Sequence, residues 1–66
     1  MIYLNAKGQR VQVCRGLGDC WIVGIKTAAG GSHRVKSPDL PPRKTRQEAQ
    51  RDLDVYANLQ RWRTAP

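Results

Sequence analysis

The chain contains no phenylalanine, one histidine, two cysteines and only five acidic residues among its 66, and each scarcity closes off a class of structure or chemistry. Without phenylalanine, the core must be small and built mainly from Val, Ile, Leu and Trp. At this length one domain burying roughly 60% of its unfolded surface is the ceiling, with a stability of about a few kcal/mol. The single histidine, His33, has no carboxylate set beside it by any plausible strand register, so no general acid–base pair can be assembled and no enzyme is expected. Cys14 and Cys20 stand as C-x5-C, which supplies neither a zinc ribbon nor a disulfide framework. A three-ligand metal site with His33 would require a different fold, so no metal and no cofactor is expected. The two thiols are expected to be free, as small apolar fillers. The glycines at 16, 18, 30 and 31 suit turns and match no phosphate-loop spacing. No apolar run reaches the roughly 18–20 residues that cross a bilayer, and Met1-Ile2-Tyr3-Leu4-Asn5 turns polar too early for a signal peptide. The expectation is a cytoplasmic protein without membrane contact.

What is present divides cleanly along the chain. Residues 1–37 carry strand signals, residues 38–44 carry breaker signals, and residues 45–61 carry helix signals. In the first part, Ile2-Tyr3-Leu4 and Val11-Gln12-Val13 flank a turn around Gly8, and Leu4 opposite Val11 would set Ile2, Leu4, Val11 and Val13 on one side. Cys20-Trp21-Ile22-Val23-Gly24-Ile25-Lys26-Thr27 is the strongest strand. A meander that opposes Cys14 to Cys20 pairs Val13 with Trp21 and Val11 with Val23. A three-residue loop of Ala29-Gly30-Gly31 then pairs Ile25 with Val35 and Lys26 with Arg34.

Ser37-Pro38-Asp39-Leu40-Pro41-Pro42 holds three of the four prolines and reads as a stiff connector. Thr45-Arg46-Gln47-Glu48 matches a helix capping box, in which the Thr hydroxyl accepts from the Glu48 amide and the Glu carboxylate reaches back to the Thr amide. Beyond it Ala49, Leu53, Tyr56, Ala57 and Gln60 follow helical spacing and make the face to be docked on the sheet. Val55, Leu59 and Trp62 form a second, narrower apolar stripe on nearly the opposite side. The fold class is therefore α+β: a meander sheet of three to four antiparallel strands packed on one C-terminal helix, in a single domain spanning residues 1–66.

One helix can cover one face of that sheet, so the other stays open. The registers send Arg10, Gln12, Lys26, Arg34 and Lys36 to the open face, with Tyr3, Ile22 and the two cysteines among them and Arg15 on an adjoining loop. Twelve Lys and Arg against five Asp and Glu give a net charge of +7 and a pI near 10.3. Residues 1–37 hold six basic residues and one acid, a balance of +5, and residues 38–66 hold six and four, a balance of +2. The charge belongs to the sheet half. A solvated polar face explains lysines and arginines in many small domains, but it does not explain the shortage of acids, because soluble surfaces intersperse both signs unless a one-signed patch serves binding or steering. A nucleic-acid partner follows as the leading expectation, with phosphate contacts supplying affinity and Gln12 or an arginine reaching base edges. The competing reading is a non-catalytic protein-interaction or accessory domain of phage or mobile-element type, contacting a protein partner or a second copy through Val55, Leu59 and Trp62, a stripe that a monomer should not leave exposed.

The order Arg15-Gly16, Trp21 opening a strand that ends in Ile25-Lys26, a glycine turn, a basic strand, then Thr45-x-x-Glu48-Ala49 and Tyr56 on a helix resembles the AP2-like and integrase amino-terminal DNA-binding domains. The likeness covers residues 15–58. It implies a three-stranded antiparallel sheet backed by one helix, double-stranded DNA rather than RNA as the ligand, and Arg15, Trp21, Lys26, Arg34 and Lys36 near that DNA. The first hairpin and the proline-rich connector depart from the pattern, and Trp21 is sent inward by the register above. The last strand and helix also resemble those of double-stranded RNA-binding domains, whose leading helix has no counterpart here.

Overall fold

The computed structural model describes residues 1–27 and 30–65. Six elements follow in order: β1 (Tyr3–Leu4), β2 (Arg10–Arg15), β3 (Trp21–Lys26), β4 (Ser32–Arg34), α1 (Arg46–Gln60) and β5 (Arg63–Thr64). The five strands form one antiparallel sheet in the spatial order β4-β3-β2-β1-β5. The α+β architecture is the expected one. The fifth strand is an addition, made by the chain returning from the helix to the free edge of β1, where Ala65 N–H donates to the Ile2 carbonyl at 2.7 Å.

The turns decide the registers. Asn5 N–H donates to the Gln9 carbonyl and Gly8 N–H to the Asn5 carbonyl, and the Asn5 side chain accepts from the amides of Lys7 and Gln9. That closes a three-residue loop with Gly8 at φ +76, a backbone region open to glycine. Tyr3 is consequently opposite Val11 and Leu4 opposite Arg10, a register one residue away from the expected Leu4–Val11 pair. A shift of one exchanges the faces: Tyr3 turns inward, and Leu4 moves to the open side. The second and third hairpins each differ from expectation by two residues, which preserves the faces. Cys14 opposes Ile22, not Cys20; Val13 opposes Val23 and Val11 opposes Ile25. Ile25 opposes His33 and Lys26 opposes Ser32. The expected loop at 29–31 includes Ala29, which with Ala28 lies outside the described residues. The closing pair is Thr27 with Gly31, and Gly30 takes φ +87.

The helix begins at the expected N-cap, but the carboxylate of Glu48 accepts from the Thr45 hydroxyl instead of the Thr45 amide. Thr45 is the N-cap, its Oγ1 accepting from Glu48 N–H at 3.2 Å and donating to Glu48 Oε1 at 3.0 Å. Ala49, Leu53 and Ala57 are buried against β2 and β3 and Tyr56 is half-buried, whereas Gln60, expected on the same face, is exposed. The helix ends in a left-handed residue: Arg61 at φ 60 donates to the Asn58 carbonyl, and Trp62 N–H to the Ala57 carbonyl at 2.9 Å. This is the paired closure of a Schellman motif. It turns Trp62 back onto Tyr56, with ring centroids 5.3 Å apart at 70°.

The connector contributes more than stiffness. Leu40, flanked by prolines, is 1% exposed and joins Tyr3, Val11, Val23, Leu53 and Ala57 in the core. The chain is then clipped to β3, where Trp21 and Arg43 exchange backbone hydrogen bonds of 2.6 and 2.9 Å. The Arg43 guanidinium grips the Asp52 carboxylate through Nε at 2.7 Å and Nη2 at 3.3 Å. That contact pins the connector to the helix it precedes.

Tyr3 illustrates why the first register differs. Its ring fills core space while its hydroxyl donates to Asp54 Oδ1 at 2.7 Å, so the polar tip is satisfied at the helix margin. The bond to Asp54, reinforced by burial and by the carboxylate charge, pushes the phenol up to about 12. An unfolded tyrosine ionises near pH 10. The contribution of this contact is therefore intact below about pH 10 and falls away as pH rises toward 12. Tyr3→Phe should cost about 1 kcal/mol at neutral pH and should abolish that part of the alkaline decline. Urea midpoints for both proteins at neutral and alkaline pH check this; a stability gap that stays constant across the range refutes it.

Candidate nucleic-acid interface

Residues that oppose each other in an antiparallel ladder share a face, so the registers lay out the side of the sheet opposite α1 as rows. One row runs Arg63, Leu4, Arg10, Lys26, Ser32 across all five strands. The next holds Gln12, Gly24 and Arg34, and the next Cys14 and Ile22. Of the six residues expected to meet nucleic acid, Arg10, Gln12, Lys26 and Arg34 lie together on this face. Lys36 is exposed beyond the end of β4, where no strand pairing fixes its side.

Arg15 is on the other face. It is the last residue of β2, one step past Cys14, and alternation turns it to the helix side opposite Trp21. There its guanidinium carbon lies 5.5 Å from the Trp21 ring centroid, and it reaches Asp19 at 3.9 Å. Tyr3 also leaves the open face. Arg63 joins it, a residue whose two-residue strand is too short to read from periodicity.

The electrostatics are one-sided. Arg10 and Lys26 are direct cross-strand partners, an arrangement that costs stability when both carry the same charge. No Asp or Glu lies on the strands of this face, and the two ion pairs among the described residues, Arg15–Asp19 and Arg43–Asp52, use none of its cations. Four of the five acids sit in residues 38–66, three of them on α1.

The centre of the face is tightly built. A Cβ placed at Gly24 would meet Cys14 Sγ at 3.1 Å and the His33 carbonyl oxygen at 3.3 Å, and one placed at Gly16 would meet Cys20 Sγ and Ile22 Cγ2 at 3.0 Å. The cysteines are free and half-buried. Cys14 packs over Gly24, and Cys20 points its thiol at the Leu17 carbonyl, 3.0 Å away. The cross-strand pair of thiols expected from the sequence is thus replaced by two separate packing positions.

On the helix, Val55 and Leu59 are 57% and 73% exposed, but Trp62 is half-buried against the core through Tyr56, because the left-handed turn at Arg61 takes it off the helical path. The expected three-residue stripe is reduced to two. His33 is exposed on β4, and among the described residues no group of three or more His, Cys, Asp or Glu is placed to hold a metal ion. No described helix is long and apolar enough to cross a membrane. No family model, curated protein or solved structure matches this chain.

Proposed function

We propose that the chain is a small nucleic-acid-binding module that holds double-stranded DNA on its open sheet face through Arg10, Lys26, Arg34 and Arg63. The observation that carries this reading is the direct opposition of Arg10 to Lys26 on a face whose strands carry no acid. Like charges held side by side raise the energy of the free protein, and a polyphosphate ligand removes that cost by neutralising them. Gln12, in the row of Arg34 and next to the row of Arg10 and Lys26, is the side chain best suited to reach a base edge.

The succession β2, β3, β4, α1 supports the resemblance to AP2-like domains in its order of elements. Arg15 and Trp21, which that resemblance would bring to DNA, lie on the helix side, so the contact set proposed here rests on the open face alone. The alternative reading, a protein contact on α1, draws support from the exposure of Val55 and Leu59 and is weakened by the withdrawal of Trp62.

The test is fluorescence anisotropy of a labelled random duplex across salt. At least three phosphate contacts give a slope of log affinity on log salt of roughly −2.7 or steeper, a loss of about fortyfold between about 50 and 200 mM salt. Absence of binding at the lower salt, or binding that ignores salt, refutes the proposal and turns attention to the helix.

A further inference from the structure

Arg61 is the one non-glycine residue with positive φ among the described residues. It occupies the left-handed position that ends α1, where glycine is the usual occupant because any Cβ costs stability there. A residue kept in a strained conformation points to a task that the side chain performs. Its neighbourhood suggests which. Two shallow depressions meet at Gly8, one lined by Lys7, Arg10 and Lys26, the other by Leu4, Arg61 and Arg63. They lie next to each other at the end of the sheet that bears the Asn5–Gln9 turn, sharing Gly8 and together making a channel-like strip. It carries five cations and no acid among its lining residues.

We propose that this channel is a phosphate track, and that Arg61 and Lys7 are contact residues that extend the open-face site around the sheet end along the backbone of a nucleic-acid duplex. The inference rests on the nucleic-acid reading above and adds to it the path of the ligand and its class. Single strands are held largely by stacking of bases on aromatic rings. Three of the four aromatic residues serve the other side, where Tyr3 bonds Asp54, Trp21 lies under Arg15 and Tyr56 is half-buried in the core; the fourth, Trp62, lines the second depression but is half-buried, its ring engaged edge-on with Tyr56. The track therefore offers five cations against one ring that is already packed on Tyr56, a balance that favours a regular duplex backbone over a run of unpaired bases.

Arg61→Gly separates this from a structural role, because its two effects run in opposite directions. Relief of the left-handed strain should raise Tm by about 3–6 °C. Loss of one phosphate contact should flatten the salt slope by about 0.9 and weaken duplex binding roughly tenfold at about 50 mM salt. Arg61→Lys keeps the charge and should keep the slope; Lys7→Gln should lose about as much slope as Arg61→Gly; Arg51→Gln, on the exposed side of α1, should change neither. If Arg61→Gly and Lys7→Gln bind with the parental slope while charge reversal at Arg10 and Arg34 weakens binding, the track is refuted and the open-face site stands. Binding of a single strand of the same sequence as tightly as the duplex overturns the ligand class. A parent protein that binds no duplex at low salt removes both proposals.

Discussion

Leu53→Ala should leave the domain largely unfolded at physiological temperature. Leu53 is fully buried at the middle of α1, in one core cluster with Val11, Val23 and Leu40. Truncating such a leucine costs about 2–5 kcal/mol, from lost transfer energy together with the cavity left behind. A domain of this length holds only about 3–10 kcal/mol in total, and among the described residues just seven hydrophobic ones are buried, two of them alanines. No reserve of packing exists to absorb the cavity. Urea denaturation followed by circular dichroism reads the effect, with Leu59→Ala as the reference: that leucine is 73% exposed, and its loss should shift stability by less than about 0.5 kcal/mol. Equal midpoints for the two variants would show that α1 is not docked through Leu53.

The helix was the most legible part of the sequence because its signals are local. A capping box and a stripe of Ala49, Leu53 and Ala57 need only the spacing of a few residues to be recognised, and all are found where expected. Leu40 was not legible as core, since a leucine among three prolines shows no periodicity, and its burial depends on the connector being clipped at Arg43 both to Trp21 of β3 and to Asp52 of α1. The strand β5 was not legible for the related reason that two residues cannot display alternation. It exists because the Schellman turn at Arg61 directs the chain to the open edge of β1.

The sheet shows how unequal two register errors can be. A shift of two residues moves Cys14 from Cys20 to Ile22 yet keeps every side chain on its face, so Arg10, Gln12, Lys26 and Arg34 share the open side although neither pairing between those strands was anticipated. A shift of one in the first hairpin exchanges Tyr3 with Leu4. Alternation alone favours Leu4 inside. What overrides it is the Asn5 side chain tightening the turn and the Asp54 carboxylate waiting at the right distance for a phenol, a contact 51 residues away in sequence. Arg15 is misplaced by a different cause: strand β2 runs one residue further than the glycine at 16 suggests, and the extra residue takes the side of the helix.

The double reversal Arg10→Glu with Arg34→Glu should weaken duplex binding on the order of a hundredfold at low salt while leaving the fold intact or slightly more stable. Both side chains are exposed on the open face, so neither change creates a cavity or strands a buried group. A glutamate at position 10 stands directly across from Lys26, converting a repulsive cross-strand pair into an attractive one that contributes roughly 0.2–1 kcal/mol. Net charge falls by four, from +7 to +3, so the protein remains basic. A residual attraction to polyanions should persist, with a salt slope shallower by about 1.8 for the two lost phosphate contacts. The divergence of stability and binding is what makes the result informative: a variant that loses affinity because it unfolds shows both falling together. Anisotropy with a random duplex at two salt concentrations, beside a urea midpoint for each protein, measures both quantities. Retained affinity and an unchanged slope in a folded double variant would show that the open face does not carry the ligand, whatever the overall charge of the chain.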